Sequence, residues 1–480
     1  MDICKRIKNI NINILLDVLL FITLIIQDID YLRIFGTQMY KYIILLMFLV
    51  LIFNIIKNKK SIKINKIYLL FLVLIYIYLY LLSFCKTIIV PSIFFVIEIF
   101  TFSLYIQSKK NIEELNRSLS KIILTASIVI SLFGIIQFIS YKLNIHFIYE
   151  YLSQNLVYLY EGRFSSIYTE PAHLCTIISA GMFISMYNIG SNKGKINYLF
   201  LVLTLFVGLL SGSVVVYASI FLFMMLFYYL AFFGKKMKVN FKKSKVGILT
   251  LTILLISTLV FCFFQKQIIL NAIDKVNALF SKNKYTVVEQ DKNINVDNNM
   301  DNNIDNINDI TTIENTNNID VENPENNTSL QNEIMHTQLS NGSAYAMKSN
   351  YYIGIEKLKD KYLLGTGMFT HIVYYDKYMQ RIYPNGYVRI NYTDACSMFL
   401  RIFSEFGIIG LIGFIGILIY LLIYGIKSKQ YFLLFMLVIF ITQSMRLGEY
   451  NWILNCLSFV VMLSYIKMKD KYEYNLKISN

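Results

Sequence analysis

Long apolar runs separated by short polar stretches dominate the chain. One of them, IYLLFLVLIYIYLYLLSF (Ile67–Phe84), contains no charged residue. Apolar runs of about 18 residues or more with few charges are long enough to cross a bilayer as helices. Twelve spans are predicted, near 12–27, 40–56, 67–84, 90–107, 121–141, 172–189, 196–210, 213–233, 246–265, 397–425, 430–446 and 450–467. The expected fold is an all-α polytopic membrane protein with about twelve transmembrane helices and one large extracytoplasmic loop. On this reading residues 1–265 hold spans one to nine, with an outer loop near 142–171. Residues 266–396 form the large loop, and 397–480 hold the last three spans and a cytoplasmic tail. The basic start MDICKRIKNINI and the apolar run after it are read as an uncleaved first helix, because no small-x-small site follows.

The polar stretches fix an orientation. Lys and Arg collect in alternate short loops: KNKKSIKINK, SKKNIEELNRSLSK, SNKGKIN, GKKMKVNFKKSK, KSKQ and the tail KMKDKYEYNLK. Positive loops stay cytoplasmic, so both termini are expected inside a bacterial cytoplasmic membrane. The same loops explain the net charge of +15. They face an anionic leaflet, and no nucleic-acid partner is expected. Within the large outer loop, the tract Glu289–Glu333 carries eleven acidic residues, one Lys and no aromatic residue. It cannot bury enough apolar surface to fold and is expected to be disordered.

Composition supports this class. Hydrophobic residues make up 56% of the 480 and charged residues 16%, against about 45–50% and about 25% in soluble domains. The six cysteines show no metal-ligand spacing and read as small apolar fillers. Neither a metal nor a cofactor is expected.

Chemistry concentrates on the expected outer face. His146, His173, His336 and His371 all fall there, as do Arg33, Arg163, Arg381, Arg389, Arg401 and Arg446 or their edges. The inner loops use Lys almost throughout. Arg offers a rigid fork of donors that matches phosphate or carboxylate, so an outward-facing anion site is expected. In GRFSSIYTEPAHLC (Gly162–Cys175), Glu170-Pro171 marks a helix start, where an acid complements the helix dipole. His173 follows on the same side of that helix. Ser340–Gly367 reads as an amphipathic helix on the outer membrane surface, with Tyr351, Ile355 and Leu358 on one face and the glycines of GTG ending it. Gly365 and Gly367 also suit a phosphate-cradling turn. Asp394 stands at the mouth of the tenth span. Arg401 and Glu405 lie four apart within it, a spacing that suits a mutual ion pair or a functional site. Gly407, Gly410, Gly413 and Gly416 form a smooth face suited to close helix packing. Asp17 and Glu98 lie within spans and have no evident partner.

These stretches resemble one family. RFSSIYTEPAHL resembles the Arg…Glu-Pro-Ser/Ala element of bacterial O-antigen and capsule polysaccharide polymerases of the Wzy type. KLKDKYLLGTGMF is similar to the stretch that ends their large outer loop, and FLRIFSEFGIIGLIGFIG to the helix that follows. The related O-antigen ligases carry an Arg where this chain has LSGSVVVY, and a His at the mouth of the helix after the large loop, where Asp394 stands here. Both departures favour a polymerase and leave the catalytic residue open.

The resemblance implies a membrane glycosyltransferase that joins polyprenyl-diphosphate-linked oligosaccharide repeats outside the cytoplasmic membrane. A hydroxyl of one repeat attacks the anomeric carbon of the chain, and polyprenyl diphosphate leaves. It assigns the leaving diphosphate to Arg163 with Arg381, Arg389 or Arg401, and the base role to Glu170, His173 or Asp394. The bilayer, the lipid-linked oligosaccharides, a chain-length regulator and a flippase are the implied partners. A ligase of the same superfamily, a transporter of lipid-linked sugar and a structural membrane protein are the competing readings. A transporter fits less well, because the charges gather at the outer mouth rather than along the spans.

Overall fold

The computed structural model describes residues 12–29, 31–34, 36–58, 86–152, 164–191, 194–233, 342–361, 363–384, 387, 389 and 391–479. The expected spans near 67–84 and 246–265, the acidic tract, Arg163 and His336 lie outside them. Each of the other ten expected spans coincides with a helix. These are α1 (Ile12–Ile26), α2 (Met39–Lys57), α3 (Lys86–Ser108), α4 (Ile112–Lys142), α6 (Pro171–Gly190), α7 (Ile196–Leu210), α8 (Val214–Phe233), α11 (Met398–Lys427), α12 (Tyr431–Arg446) and α13 (Ile453–Ser479). Five of them hold segments long and apolar enough to cross a membrane, and the other five hold shorter apolar segments. The chain is an all-α polytopic membrane protein. Three further helices, α5 (His146–Leu152), α9 (Gly342–Lys361) and α10 (His371–Ile382), lie in the connections. A two-residue antiparallel ladder, β1 (Arg33–Ile34) with β2 (Thr37–Gln38), joins α1 to α2.

Helix α6 is the axis of the bundle. Of its most apolar stretch 83% is buried, against 17% for α11, and it packs against α4, α7, α8 and α12. Its small residues permit this. A side chain at Gly181 would come within 2.4 Å of Ser127 on α4. Polar groups then bridge the close helices, as is common where lipid gives no hydrophobic drive to associate. Ser127 Oγ donates to the Ile177 carbonyl at 2.8 Å, and Gln443 Nε2 on α12 donates to the Thr176 carbonyl at 2.7 Å. Asp17 is a partnered group: it accepts from Lys109 Nζ, Tyr105 OH and Ser118 Oγ at 2.6–2.7 Å. These bonds tie α1 to the junction of α3 and α4.

Two expectations for the glycines and for the loop helix are corrected. Among the described residues the glycine row of α11 is not a packing face. There a Cβ at Gly413 or Gly416 would meet nothing within 4 Å, and one at Gly410 would meet Phe406 of its own helix. Gly407 instead breaks the helix with φ +66° and ψ −162°. A Cβ there would lie 2.1 Å from the Leu363 carbonyl oxygen, and one at Gly365 would lie 2.6 Å from that of Glu405. The GTG turn is therefore pressed backbone to backbone onto the kink, and Gly367 N–H donates to the Glu405 carbonyl at 2.7 Å.

Helix α9 ends at Lys361, before that turn, and packs against α10 and α11. Its buried face runs through Ala346, Ser349, Asn350, Ile353 and Lys357, while Tyr351 is exposed. The apolar stripe 351/355/358 misplaced this face, because the helix buries Ser349, Asn350 and Lys357: Ser349 is satisfied by its own helix, and Asn350 and Lys357 meet partners on α10 and α11.

Gly407→Ala is expected to lower stability by at least about 1–3 kcal/mol, since its φ/ψ region is essentially open to glycine alone. Gly413→Ala should stay within about 0.5 kcal/mol. Thermal unfolding of the two purified variants in detergent measures the contrast.

Candidate functional site

The buried carboxylate of Glu405 organises one end of the bundle. Its Oε1 accepts from the His371 N–H at 3.0 Å and from Arg401 Nε at 3.2 Å. Its Oε2 accepts from the Phe369 N–H at 2.9 Å and from Tyr450 OH at 2.8 Å. Arg401 also donates through Nη1 to the Gly448 carbonyl at 3.1 Å, and its guanidinium lies over the Tyr450 ring at 4.6 Å. One ion pair thereby fixes three segments: the first turns of α11, the 363–371 turn, and the 447–452 connection between α12 and α13.

Behind Glu405 runs a chain of fully buried polar groups. Asn350 Nδ2 donates to the Ala346 carbonyl at 2.7 Å, so its Oδ1 is the acceptor facing His371 Nε2 at 2.8 Å. His371 therefore carries its proton on Nε2, and its Nδ1 accepts from Ser404 Oγ at 2.9 Å. Ser404 in turn accepts from Lys357 Nζ at 2.8 Å. Burial, aided by the Lys357 and Arg401 charges, holds His371 well below its usual pKa, consistent with a neutral ring. Burial also pulls Lys357 down to about 7, against a partial opposing pull from Glu405.

Beside this frame lies a second cluster. Glu170 occupies the N-cap position of α6 with extended backbone, and Pro171 takes the first helical position. Its side chain makes no capping bond. It pairs instead with Nη2 of Arg446, the last residue of α12. Nη1 of Arg446 is buried with no hydrogen-bond partner among the described residues. Asp394 and Cys396 also lie within electrostatic reach of Arg446. The loop bearing them is strained, with φ +57° at Ala395 and +67° at Cys396. It lies against Gly448 so closely that a Cβ there would sit 1.4 Å from the Asp394 carbonyl oxygen. Burial pushes the Cys396 thiol up to about 12, so it stands as a neutral thiol at neutral pH.

His173 faces Asp28, which follows α1. Its Nδ1 lies 3.0 Å from Asp28 Oδ2, and its ring lies 5.2 Å from that of Trp452. Asp28 also accepts from the Thr169 N–H at 3.0 Å and from the Thr169 hydroxyl at 2.9 Å. Glu449 lies within electrostatic reach of Asp394, Arg401, Lys41 and His173. Burial and the Asp394 carboxylate raise its pKa above the usual carboxylate range.

Of the residues expected in a site, Glu170, His173 and Asp394 converge around Arg446 and Glu449, and Arg401 reaches the same loop through Gly448. Arg381 and Arg389 stand apart. Arg381 Nη1 binds Asp360 at 2.9 Å and Arg389 Nη2 binds Asp376 at 2.6 Å, with side chains 43% and 57% exposed. Asp28 and Glu449 are the members that sequence reasoning passed over, and Arg446, counted there among the outer-face arginines of an expected anion site, was given no role of its own. Their signal was present in SMRLGEYNW (Ser444–Trp452), a charged loop between two apolar spans that carries the chain's single Trp. Among the described residues no three His, Cys, Asp or Glu side chains are grouped to hold a metal ion.

Residues 199–415 match the family described as O-antigen ligase. This match, over a little less than half of the chain, supports the O-antigen ligase/polymerase superfamily. The matched region includes the GTG turn, Asp394, Arg401 and Glu405, and leaves out Asp28, Glu170, His173 and Arg446. No curated protein and no solved structure matches the chain.

The Lys357 position yields a pH test of the buried polar chain. Its folded pKa is depressed, so between about 7 and its ordinary value of 10.5 the unfolded chain binds more protons than the folded one. Stability from this group therefore rises across that window and is lost as pH falls through 7. Lys357→Met is expected to remove this rise, seen as a smaller change in unfolding midpoint between pH 7 and pH 10.

Proposed function

We propose that the protein is a polysaccharide polymerase joining polyprenyl-diphosphate-linked oligosaccharide repeats at the outer face of the bacterial cytoplasmic membrane. The family match over residues 199–415 supports a membrane glycosyltransferase acting on lipid-linked glycans. The observation that carries the reading is Arg446: Glu170 fixes its guanidinium, and its Nη1 remains a buried donor with no hydrogen-bond partner among the described residues, within electrostatic reach of Asp394 and His173. A diphosphate leaving group gathers negative charge as the glycosidic bond breaks. A cation that is already oriented stabilises that charge without reorganisation.

Arg446 is therefore the first ligand of the diphosphate. Arg401 supports the loop that carries Arg446, and Arg163 is retained as a second ligand. Asp394 and Glu170 shape the charge of the pocket. His173 takes the base role, because Glu170 is held in its ion pair with Arg446. Asp394 for its part accepts from the Cys396 N–H at 3.1 Å and Asn391 Nδ2 at 3.2 Å. A base within reach of the hydroxyl proton contributes about 10²–10⁴-fold. The three-part division at 265 and 396 fits this reading, with the loop helices α9 and α10 between the two helical sets. A chain-length regulator and a flippase are its proposed partners.

The family description itself favours a second reading, a ligase that moves finished glycan to another acceptor. The reaction product separates the two. A strain lacking this chain should lose long glycan and accumulate single lipid-linked repeats on the outer leaflet, read by gel and by mass. Retained long glycan on lipid with none transferred to a final acceptor means a ligase. Repeats trapped on the inner leaflet mean a transporter. Within the polymerase reading, Arg446→Ala should cut polymer by about 10²-fold with the protein still in the membrane, and Arg163→Ala should abolish it. Arg381→Ala and Arg389→Ala should leave polymer intact. Normal polymer from Arg446→Ala would remove the anion site.

A further inference from the structure

We propose that Asp28 is a positioning residue that fixes His173 in the tautomer able to take the proton of the attacking hydroxyl. The inference rests on the reading above for the reaction, but its geometry stands by itself. Asp28 follows the first helix and lies 145 residues before His173. Its side chain is 7% exposed and that of His173 14%. Three donors converge on this carboxylate: the Thr169 N–H, the Thr169 hydroxyl and His173 Nδ1. An ionised carboxylate only accepts hydrogen bonds. The contact at 3.0 Å, beside the Thr169 hydroxyl at 3.1 Å, therefore places a proton on Nδ1, and in the neutral ring the lone pair falls to Nε2. Nε2 has no hydrogen-bond partner among the described residues, and the ring is packed on one side by Trp452. The opposite tautomer occurs at His371, where Asn350 fixes the proton on Nε2.

The step balances within the site. The acceptor hydroxyl oxygen forms the new bond to the anomeric carbon, and its proton passes to His173 Nε2. The bond between that carbon and the diphosphate oxygen breaks, and its electron pair leaves with polyprenyl diphosphate beside Arg446. The imidazolium so formed keeps its Nδ1 proton against Asp28, and later gives the Nε2 proton to water.

The chain has four histidines, which makes nitrogen-15 histidine NMR practicable on the full-length protein in nanodiscs. Followed to a pH at which the ring is neutral, wild type should show His173 as the Nδ1–H form, assigned by loss of the signal in His173→Gln. Asp28→Asn should shift it toward the Nε2–H form. In a transfer assay with lipid-linked repeats, Asp28→Asn should lower kcat by about 10–10²-fold, the range found when partners that orient a functional His are removed, with KM unchanged. In a His173→Gln background the same substitution should cost nothing further.

A neutral wild-type His173 protonated on Nε2 alone would overturn the proposal, as would an equal loss from Asp28→Asn in both backgrounds. Full activity in His173→Gln would instead reject the base assignment of the wider reading, while the tautomer result still decided what Asp28 does to the ring.

Discussion

Everything at the site end of this protein depends on a carboxylate that cannot be left alone. Glu405 is wholly buried, and an unpaired charge there would cost several kcal/mol. It is satisfied by two backbone N–H groups, a guanidinium and a phenol, drawn from three segments distant in sequence. Each of those segments is thereby committed to one position. Removing any donor leaves charge buried, so the arrangement tolerates little drift. The Gly407 kink and the GTG turn make this possible. Without glycines at 365 and 407, the two backbones could not approach closely enough for the carboxylate to reach the 369 and 371 amides.

This frame holds the ends of α11, α12 and α13 against one another. Arg401 ties α11 to the Gly448 carbonyl, and the Asp394 loop presses on the same glycine. The 447–452 connection is thus clamped from two sides. Arg446 enters it and Trp452 leaves it, so the clamp places the guanidinium against Glu170 and the indole against His173. The chain makes its polar groups position one another, in a setting where lipid gives no hydrophobic reason for these ends to meet.

Much of the fold was legible because lipid imposes length and apolarity on every span. Ten helices lie where apolar runs predicted them, and the SGS turn after Leu210 divides two helices as expected. The site was legible only where chemistry was local. Arg401 and Glu405 pair one turn apart, and Glu170 and His173 share one helix start. Asp28 could not be matched to His173 from sequence, because 145 residues separate them and nothing in IIQDIDYLR names its partner. Lys357 defeated the periodicity argument for a different reason. Apolar patterning assumes that buried means hydrophobic, and α9 buries Asn350 and Lys357 against Ser404 and His371.

The Thr-Glu-Pro turn shows how local backbone chemistry releases a side chain for work elsewhere. A helix start leaves its first N–H groups without partners, and an acid at the N-cap ordinarily turns inward to satisfy one. Here Pro171 has no N–H, which removes one of those donors. The His173 N–H is met by the Glu170 carbonyl at 3.1 Å. Little is left for the Glu170 carboxylate to cap. It still lies at the positive end of the helix, where its charge is favoured, and it is free to hold Arg446 across the mouth of the bundle. The proline itself presets the first helical position, and so sets Glu170 at the helix start from which it reaches Arg446. It supports the proposed anion site without touching it.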